Sequence, residues 1–239
     1  IERLAVSVFA GDKDAEKDNE AAETWLSLGI PKDRIAFLPK KDNWWGPAGK
    51  TGPCGPDTEM FYWKLNNKPA PKKFNPDDNN WVEIWNDVLM QYNKDEKGNY
   101  NEAKQKNIDT GMGVERTITA LSNLEDNYES SAFKPIIKQI EKLSNKTYKE
   151  NNEITKSMRI IADHIKASVF IIADNITPSN TEQGYVLRRL IRRAIRHGMR
   201  LALKDFTSEV SQPVFKIYED YLELKNNKGT LDFPIVLNS

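Results

Sequence analysis

The hydrophobic pattern of this 239-residue chain changes character once, near residue 116. Before that point, short apolar or β-branched runs predict four strands: Leu4–Phe9, Arg34–Leu38, Glu59–Trp63 and Trp81–Tyr92. Beyond it, apolar residues recur at helical spacing and predict four helices: Phe133–Leu143, Glu153–Asp174, Gly184–Leu203 and Ser208–Leu224. Because strands predominate in the first half and helices in the second, the sequence predicts an α+β fold. We expect a sheet with flanking helices at residues 1–127 and an all-helical domain at residues 128–239.

Three further segments complete the outline of the first half. Asp14–Leu28 is acidic and is followed by Gly29 and Pro31, a pattern that predicts a helix and its end. Residues 39–58 are rich in glycine and proline and predict a loop. Lys68–Asn80 has the composition of a linker, so we expect an exposed connection there.

Composition restricts the environment and the partners of the chain. The formal net charge is zero, which argues against indiscriminate nucleic-acid binding. A single cysteine, Cys54, cannot form an internal disulfide and fits a reducing, cytoplasmic compartment. Two histidines and this cysteine are too few for a Cys/His-rich zinc site, so zinc is not expected. No apolar run approaches the ~20 residues of a membrane span, and no signal peptide is visible, so no membrane partner is expected.

The segment Asn107–Arg116 carries the densest group of chemically useful residues, Asn-Ile-Asp-Thr-Gly-Met-Gly-Val-Glu-Arg. It combines a carboxylate, two glycines and an arginine at the start of an amphipathic helix. Glycines at a strand-to-helix junction let the backbone approach a flat ligand, and the N–H groups at the helix end are free to bind phosphate. Because Gly-x-Gly also occurs in ordinary turns, this segment alone is weak support for a nucleotide site.

Three other segments strengthen that interpretation: Asp42–Gly46 (Asp-Asn-Trp-Trp-Gly), Thr51–Pro56 (Thr-Gly-Pro-Cys-Gly-Pro) and Glu83–Asn86 (Glu-Ile-Trp-Asn). Together with Asn107–Arg116, and in this order, they resemble the second half of the catalytic core of the alanyl-tRNA synthetases. Asn107–Arg116 then contains the counterpart of motif 3 of the class II synthetases. The resemblance covers nearly the whole chain and weakens after residue 203.

The resemblance implies an enzyme that joins alanine to ATP, forms alanyl-adenylate and pyrophosphate, and transfers the alanyl group to the 3′ end of alanine tRNA. ATP and Mg²⁺ are the implied cofactors, although the sequence identifies no Mg²⁺ ligands and predicts no dedicated metal site. Gly111 and Gly113 are expected to let the backbone approach adenosine. Arg116 is expected to bind ATP near the γ-phosphate through its planar guanidinium. Glu59 is a further candidate for the ATP site.

The same resemblance implies an alanine pocket built from three side chains. Asp109 is expected to pair with the alanine ammonium, Trp45 to form a wall of the pocket, and Asn86 to complete it. Asp109 and Arg116 are therefore the predicted catalytic residues. Trp44 stands where the family has a phenylalanine and is interpreted as a packing residue. Cys54 is also interpreted as a packing residue, because no general base lies near its thiol in sequence.

Each predicted site residue also has a structural alternative. Asp109 suits the N-cap of the following helix, where Thr110 competes with it, and Arg116 suits an exposed helix surface. Trp45 suits a hydrophobic core. Asn86 suits a structural hydrogen bond, because it is the one strongly polar residue on its predicted strand face. The other members of that face are Val82, Ile84, Val88, Met90 and Tyr92. The motif context favours the functional interpretation in each case.

The predicted helix Gly184–Leu203 has a strongly basic face. Residues 184–204 contain seven basic residues and no acidic one: Arg188, Arg189, Arg192, Arg193, Arg196, Arg200 and Lys204. Four of them recur at i+4 spacing, which places them in one stripe on a helix: Arg188, Arg192, Arg196 and Arg200. We refer to these four, with Arg189 and Arg193 beside them, as the arginine stripe. A solvated charged face is the ordinary explanation, but uncompensated like charges repel unless phosphates neutralise them.

The resemblance places this helix in the tRNA-recognition part of the family. It implies that Asn180 reads a G·U pair in the acceptor stem of alanine tRNA through the minor groove. Arg188, Arg189, Arg192 and Arg193 are the predicted tRNA-binding residues of the stripe. The sequence departs from many relatives at Gln183, where arginine is common, so contacts at that position are not predicted.

Motifs 1 and 2 of the class II core are expected before Leu4 and do not occur in this sequence. We therefore expect a fragment with an exposed sheet edge or apolar face, and no competent enzyme without its N-terminal half. Three alternatives differ in class: the tRNA-binding subunit of a split synthetase, a stand-alone RNA-binding module, and an unrelated ATP-binding protein. Retention of motif 3 and of the pocket residues argues against a pure binding module.

Overall fold

A computed structural model of the protein describes residues 1–220, which form two compact units. The first unit spans Ile1–Glu125 and the second begins at Asp126. The first contains six strands: β1 Leu4–Phe9, β2 Ile35–Leu38, β3 Trp44–Trp45, β4 Gly52–Trp63, β5 Trp81–Lys94 and β6 Tyr100–Met112. It also contains two helices: α1 Asn19–Ser27 and α2 Val114–Leu121. The second contains four described helices: α3 Lys134–Ser144, α4 Asn152–Ala173, α5 Glu182–Arg200 and α6 Thr207–Ile217.

The sheet of the first unit has the order β2-β1-β4-β5-β6, with β3 paired to the start of β4. Only β1 and β2 run parallel, and the other pairs are antiparallel. The mixed α+β character is confirmed. Strand β1 is buried from Ala5 to Phe9, and Ala5 packs with an aromatic group of Trp63, Phe74 and Trp81.

Two strands differ from their predicted extents. The loop predicted at residues 39–58 is wrong in its second half, because β4 already begins at Gly52. The two Gly-Pro steps lie beside an irregularity in the β4–β5 register between Cys54 and Asp57, where a strand tolerates proline. Gly55 is needed there, since a Cβ would lie 1.9 Å from the carbonyl oxygen of Leu89. Strand β6 was not predicted, because its largely polar sequence lacks the alternation of a half-buried strand.

Strand β6 forms an open edge of the sheet. Among the described residues it pairs only with β5, and nearly all of its thirteen residues are exposed. Ile108 is 74% exposed, and next to it a cavity of about 480 Å³ lies between α1 and the sheet, lined in part by Trp25 and Leu89. The expected exposed edge and apolar face are therefore present. A long unpaired edge is a template for pairing with another segment of chain.

Two other segments of the first unit correct the predictions locally. Helix α1 begins at Asn19 and not at Asp14, because the side chain of Asp18 accepts a hydrogen bond from Ala21 N–H and caps the helix. The connection at residues 68–80 is irregular, as predicted, but it is not wholly exposed. Phe74 is buried there against Phe61, with ring centroids 4.9 Å apart.

The helices of the second unit follow the predicted periodicity within a few residues. Their apolar faces form one core in which Ile136, Met158, Ile161, Ile165 and Val210 are fully buried. Helix α6 ends at Ile217, and the rest of the predicted segment up to residue 224 extends beyond the described residues. In the described part of the chain, no helix is long and apolar enough to cross a membrane.

Candidate functional site

A β-bulge in β5 determines which side chains share a face with Asn86. Met60 pairs with Trp85 and Phe61 pairs with Glu83, so Ile84 is an extra residue in β5. The alternation is reset at this point, and Glu83 lies on the face of Asn86. The predicted continuous apolar face through Val82 and Ile84 is therefore wrong. The register places six polar or small residues of β4, β5 and β6 on one face, here called the carboxylate face: Asp57, Glu59, Glu83, Asn86, Asp109 and Gly111.

The amide of Asn86 lies between two of these carboxylates. Its Nδ2 donates to Asp57 Oδ2 at 3.3 Å and to Glu59 Oε1 at 3.4 Å. Its Oδ1 is buried and has no hydrogen-bond partner among the described residues. Because the amide donor group is occupied, the one unsatisfied polar atom of the Asn86 side chain is this buried acceptor. A buried polar atom of this kind is destabilising unless a donor fills the site.

Neighbouring side chains donate hydrogen bonds to both carboxylates, but the pKa values of both carboxyl groups are raised. Asn43 Nδ2 donates to Asp57 Oδ1 at 3.0 Å, and Ser7 donates to Glu59 Oε2 at 3.3 Å. Burial nevertheless raises the pKa of Asp57 to about 6. Burial, and then the charges of Glu83 and Asp57, raise the pKa of Glu59 to about 7. The carboxylate face is therefore short of positive charge, and a cationic ligand would be stabilised there.

We expect the free energy of unfolding of the first unit to fall as the pH rises from about 4 to 7. Both pKa values are raised above their unfolded values, so the folded chain binds extra protons in this window and loses that stabilisation as they dissociate. Glu59→Gln should flatten the pH profile and stabilise the unit at pH 7.5 by on the order of 1–2 kcal/mol, after discounting for solvent screening.

Urea denaturation followed by tryptophan fluorescence measures this effect, because all six tryptophans lie in the first unit. Glu96→Gln, at an exposed turn, is the matched control and should leave the profile unchanged. If the free energy of unfolding depends on pH in the same way for Glu59→Gln and for the original chain, the ionisation of Glu59 does not destabilise the first unit.

Strand β6 supplies two further residues of the carboxylate face, on the other side of β5 from Asp57 and Glu59. Gly111 is directly opposite Asn86, and Asp109 is opposite Val88 in the same register. A Cβ at Gly111 would meet no atom within 4 Å, so the space next to this glycine is open. Asp109 is exposed, and its Oδ1 accepts a hydrogen bond from Thr110 N–H at 2.9 Å. The N-cap alternative for Asp109 is wrong, because α2 is capped by Gly113 without any side-chain bond.

Helix α2 is docked on the bulge of β5. Ile84 O accepts hydrogen bonds from Gly113 N–H at 3.1 Å and from the Thr117 hydroxyl at 3.5 Å. This contact places Arg116, in the first turn of α2, beside Glu83, with an Nη1–Oε2 distance of 3.0 Å. Arg116 is the only arginine or lysine that forms an ion pair on the carboxylate face within residues 1–220. Its charge is thus already partly neutralised by Glu83.

The tryptophan pair of β3 divides into one exposed and one packed side chain. Trp45 pairs with Gly55 and is 40% exposed. Trp44 packs against Phe9 and stacks on Tyr92, with centroids 5.5 and 5.7 Å apart. Cys54 is buried, and burial raises the pKa of its thiol.

The arginine stripe lies on the exposed side of α5. The opposite side of this helix is buried through Leu187, Ile191 and Ala194. Ser157 and His197 contact each other across the α4–α5 interface at 3.1 Å between Oγ and Nδ1. Five of the six arginines are exposed: Arg189, Arg192, Arg193, Arg196 and Arg200. Arg188 is half-buried as a residue, and its guanidinium donates to Oδ1 of the exposed Asn180.

Comparison with known proteins identifies the group to which the chain is related. Residues 1–235 match the family described as tRNA synthetases class II (A). The chain belongs to this family. It is 51% identical over 232 residues to an alanine–tRNA ligase of Borrelia hermsii and 50% identical over 235 residues to an alanine–tRNA ligase of Treponema denticola. Each alignment covers 95% of this chain and 39% of the relative, so the chain spans about two fifths of the length of these ligases.

A more distant relative gives the same result. An alanine–tRNA ligase of Anaeromyxobacter dehalogenans is 39% identical over 241 residues, which cover 97% of this chain and 26% of the ligase. The predicted relationship to class II synthetases, and to alanine–tRNA ligases in particular, is thereby confirmed. The individual site residues remain predictions, because no ligand identifies them.

Sequence reasoning missed part of the carboxylate face. The sequence predicts no role for Asp57 or Glu83, because a carboxylate beside a glycine-proline loop or within a strand has no distinguishing pattern, even though Glu83 lies in the Glu83–Asn86 segment. The Gly-Pro steps that signal the bulge near Asp57 were the one available sign. In residues 1–220, no group of three or more His, Cys, Asp or Glu side chains is arranged to hold a metal ion by itself.

Proposed function

We propose that the chain is one part of a cytoplasmic alanine–tRNA ligase, which activates alanine with ATP and transfers it to alanine tRNA. In this proposal residues 1–127 belong to the aminoacylation domain and residues 128–239 bind the acceptor stem. The buried, unpartnered Oδ1 of Asn86 on the carboxylate face is the observation that carries the proposal. It marks a site that lacks a donor, and the ammonium of an amino acid supplies three. Alanine-dependent ATP–pyrophosphate exchange tests the activity.

The alanine ammonium is assigned to the space between Asn86 and Asp109. Asn86 and Asp109 lie on the same face of the sheet, on the neighbouring strands β5 and β6. The space next to Gly111, which is directly opposite Asn86, is open. A cation there would also relieve the repulsion among Asp57, Glu59 and Glu83. Trp45 is assigned to the wall of the pocket, where its exposed ring would be covered by substrate.

ATP is assigned to the end of the carboxylate face where α2 begins. Gly111 and Gly113 present backbone to the adenosine, and Arg116 reaches a phosphate if it exchanges Glu83 for the ligand. Mg²⁺ typically binds through one or two carboxylates and the substrate phosphates, not through a protein cage. Glu59 and Glu83 offer such oxygens, so Mg²⁺ would enter with ATP and neutralise its phosphate charge. Activation chiefly requires positioning and charge neutralisation, which these residues supply in part.

The second unit is assigned to binding of the tRNA acceptor stem through the arginine stripe. Arg192, Arg193 and Arg196 form no hydrogen bond or ion pair with any residue in the described part of the chain, so their charges are available for phosphates. Asn180 is assigned to reading the G·U pair. A stand-alone RNA-binding module would use the same stripe, but it would not need the carboxylate face.

We expect Arg192→Ala to weaken binding to acceptor-stem minihelices equally, whether they carry a G·U or a G·C pair. One phosphate contact would be lost, so the slope of log K against log salt should fall by about one. Fluorescence anisotropy across a salt series measures both effects. Lys138→Ala removes the same charge from α3, where Lys138 pairs with Glu141, and should leave binding unchanged. Unaltered binding of Arg192→Ala at every salt concentration would mean that the stripe is only a solvated face.

A further inference from the structure

Arg188 differs from the rest of the arginine stripe in its burial and in its hydrogen bond. It is the half-buried member, and its Nη1 donates to Oδ1 of Asn180. Arg192 and Arg196, one and two turns further along the same line, are exposed and unpaired within residues 1–220. A guanidinium that already binds a neighbouring amide is less available to a phosphate than one that binds nothing.

The contact fixes the orientation of the Asn180 amide. A guanidinium has only donors, so it can face only the amide oxygen. Both hydrogens of Nδ2 and the second lone pair of Oδ1 then remain for another partner. An exposed asparagine without such a neighbour interchanges its oxygen and nitrogen by rotation about its terminal torsion, which has a broad two-fold profile. Arg188 therefore selects one of two presentations of the same side chain.

The backbone that carries Asn180 is also held in place. A Cβ at Gly184 would lie 2.4 Å from Ser179 Oγ and 2.5 Å from Thr177 O, so this segment packs directly on the first turn of α5. Ser179 Oγ donates to Thr181 O at 2.8 Å and accepts from Thr181 N–H at 3.3 Å. The segment is thus closed on itself and on the helix, and Asn180 is kept within reach of Arg188.

We infer that Arg188 is a positioning residue, which orients the Asn180 amide for base discrimination and does not act chiefly as a phosphate contact. The inference rests on the proposed role of Asn180 as the reader of the G·U pair. In a G·C pair the guanine 2-amino group bonds to cytosine, whereas in a G·U pair it is left without a pairing partner. An amide with a fixed outward lone pair accepts from that amino group, and an amide that rotates freely does so only part of the time.

Binding of the 239-residue chain to minihelices with either pair tests the inference. Asn180→Ala should reduce the ratio of the two affinities roughly fivefold, for one hydrogen bond, and Arg188→Ala should reduce it about twofold, because about half of a freely rotating amide population presents its oxygen outward. Arg192→Ala, the matched control, should weaken both minihelices equally and preserve the ratio. Gly184→Ala, which retains every charge, should also reduce the ratio, because the Thr177–Asn180 segment must move away from α5.

A double-mutant cycle separates this inference from the proposed function. If Arg188 acts through Asn180, the double variant should discriminate no less than Asn180→Ala alone. If Asn180→Ala removes discrimination while Arg188→Ala retains it, the positioning role of Arg188 is refuted and the role of Asn180 as the reader of the G·U pair is supported. If the original chain does not discriminate between the two minihelices, the reader role itself is refuted, and the positioning role with it.

Discussion

On the proposed function, alanine-dependent ATP–pyrophosphate exchange is expected to be undetectable with the 239-residue chain alone and to rise at least about 10³-fold when the N-terminal half of the proposed ligase is added. The physical reason is the charge of the site. The carboxylate face carries four carboxylates, and its one paired cation, Arg116, is engaged by Glu83. This ion pair leaves Arg116 only partly available to the phosphates of ATP, so the proposal assigns the missing cation at the α-phosphate to the added segment.

The open edge of β6 offers a structural measure of the same event. If the added segment completes the sheet, amide hydrogens along β6 should exchange more slowly in the mixture than in the chain alone. An unrelated protein of similar size is the control for both measurements. Robust ATP–pyrophosphate exchange by the isolated chain would contradict the charge argument. Protection of the β6 amides without ATP–pyrophosphate exchange would show that the added segment binds but does not complete the active site.

The sequence predicts those elements whose burial follows a regular period. Helices α3 to α5 have an apolar stripe against a single core, so their positions follow from spacing. Strand β6 is different, because an exposed edge imposes no alternation on its side chains. The early start of β4 was hidden by its Gly-Pro steps, which signal a loop in a sequence but lie at a register irregularity in the sheet.

The site was predicted in part for a related reason. Asn86 stands out in the sequence because an amide interrupts an apolar face, and that signal is local. Its partners Asp57 and Glu59 follow from the register between β4 and β5, which depends on two irregularities that no periodic rule anticipates. The extra residue Ile84 also brings Glu83 onto the same face, and Arg116 with it. The electrostatics of this site are thus a property of the sheet and not of any one motif.

In the assembled ligase, Asp109→Asn is expected to lower kcat/KM for alanine by about 10²- to 10³-fold. Asparagine has the same size but no charge, so the alanine ammonium would lose its counter-charge while the shape of the pocket is kept. Asp109 is exposed on β6 in the isolated chain, and the proposal requires the completed sheet to cover it. A covered ion pair accounts for an effect of this size, whereas an exposed pair contributes only about 0–1 kcal/mol.

Exchange kinetics at varied alanine and at varied ATP distinguish a pocket residue from a general loss of structure. The effect should appear in kcat/KM for alanine, with little change in the KM for ATP. Asp87→Asn is the matched control, because Asp87 lies one residue along β5 from Asn86, pairs with Thr110 and faces the opposite side of the sheet. Its removal should change neither constant by more than about twofold. A loss of less than tenfold for Asp109→Asn would mean that Asp109 stays in water and that the ammonium is bound chiefly by Asn86 and its neighbouring carboxylates.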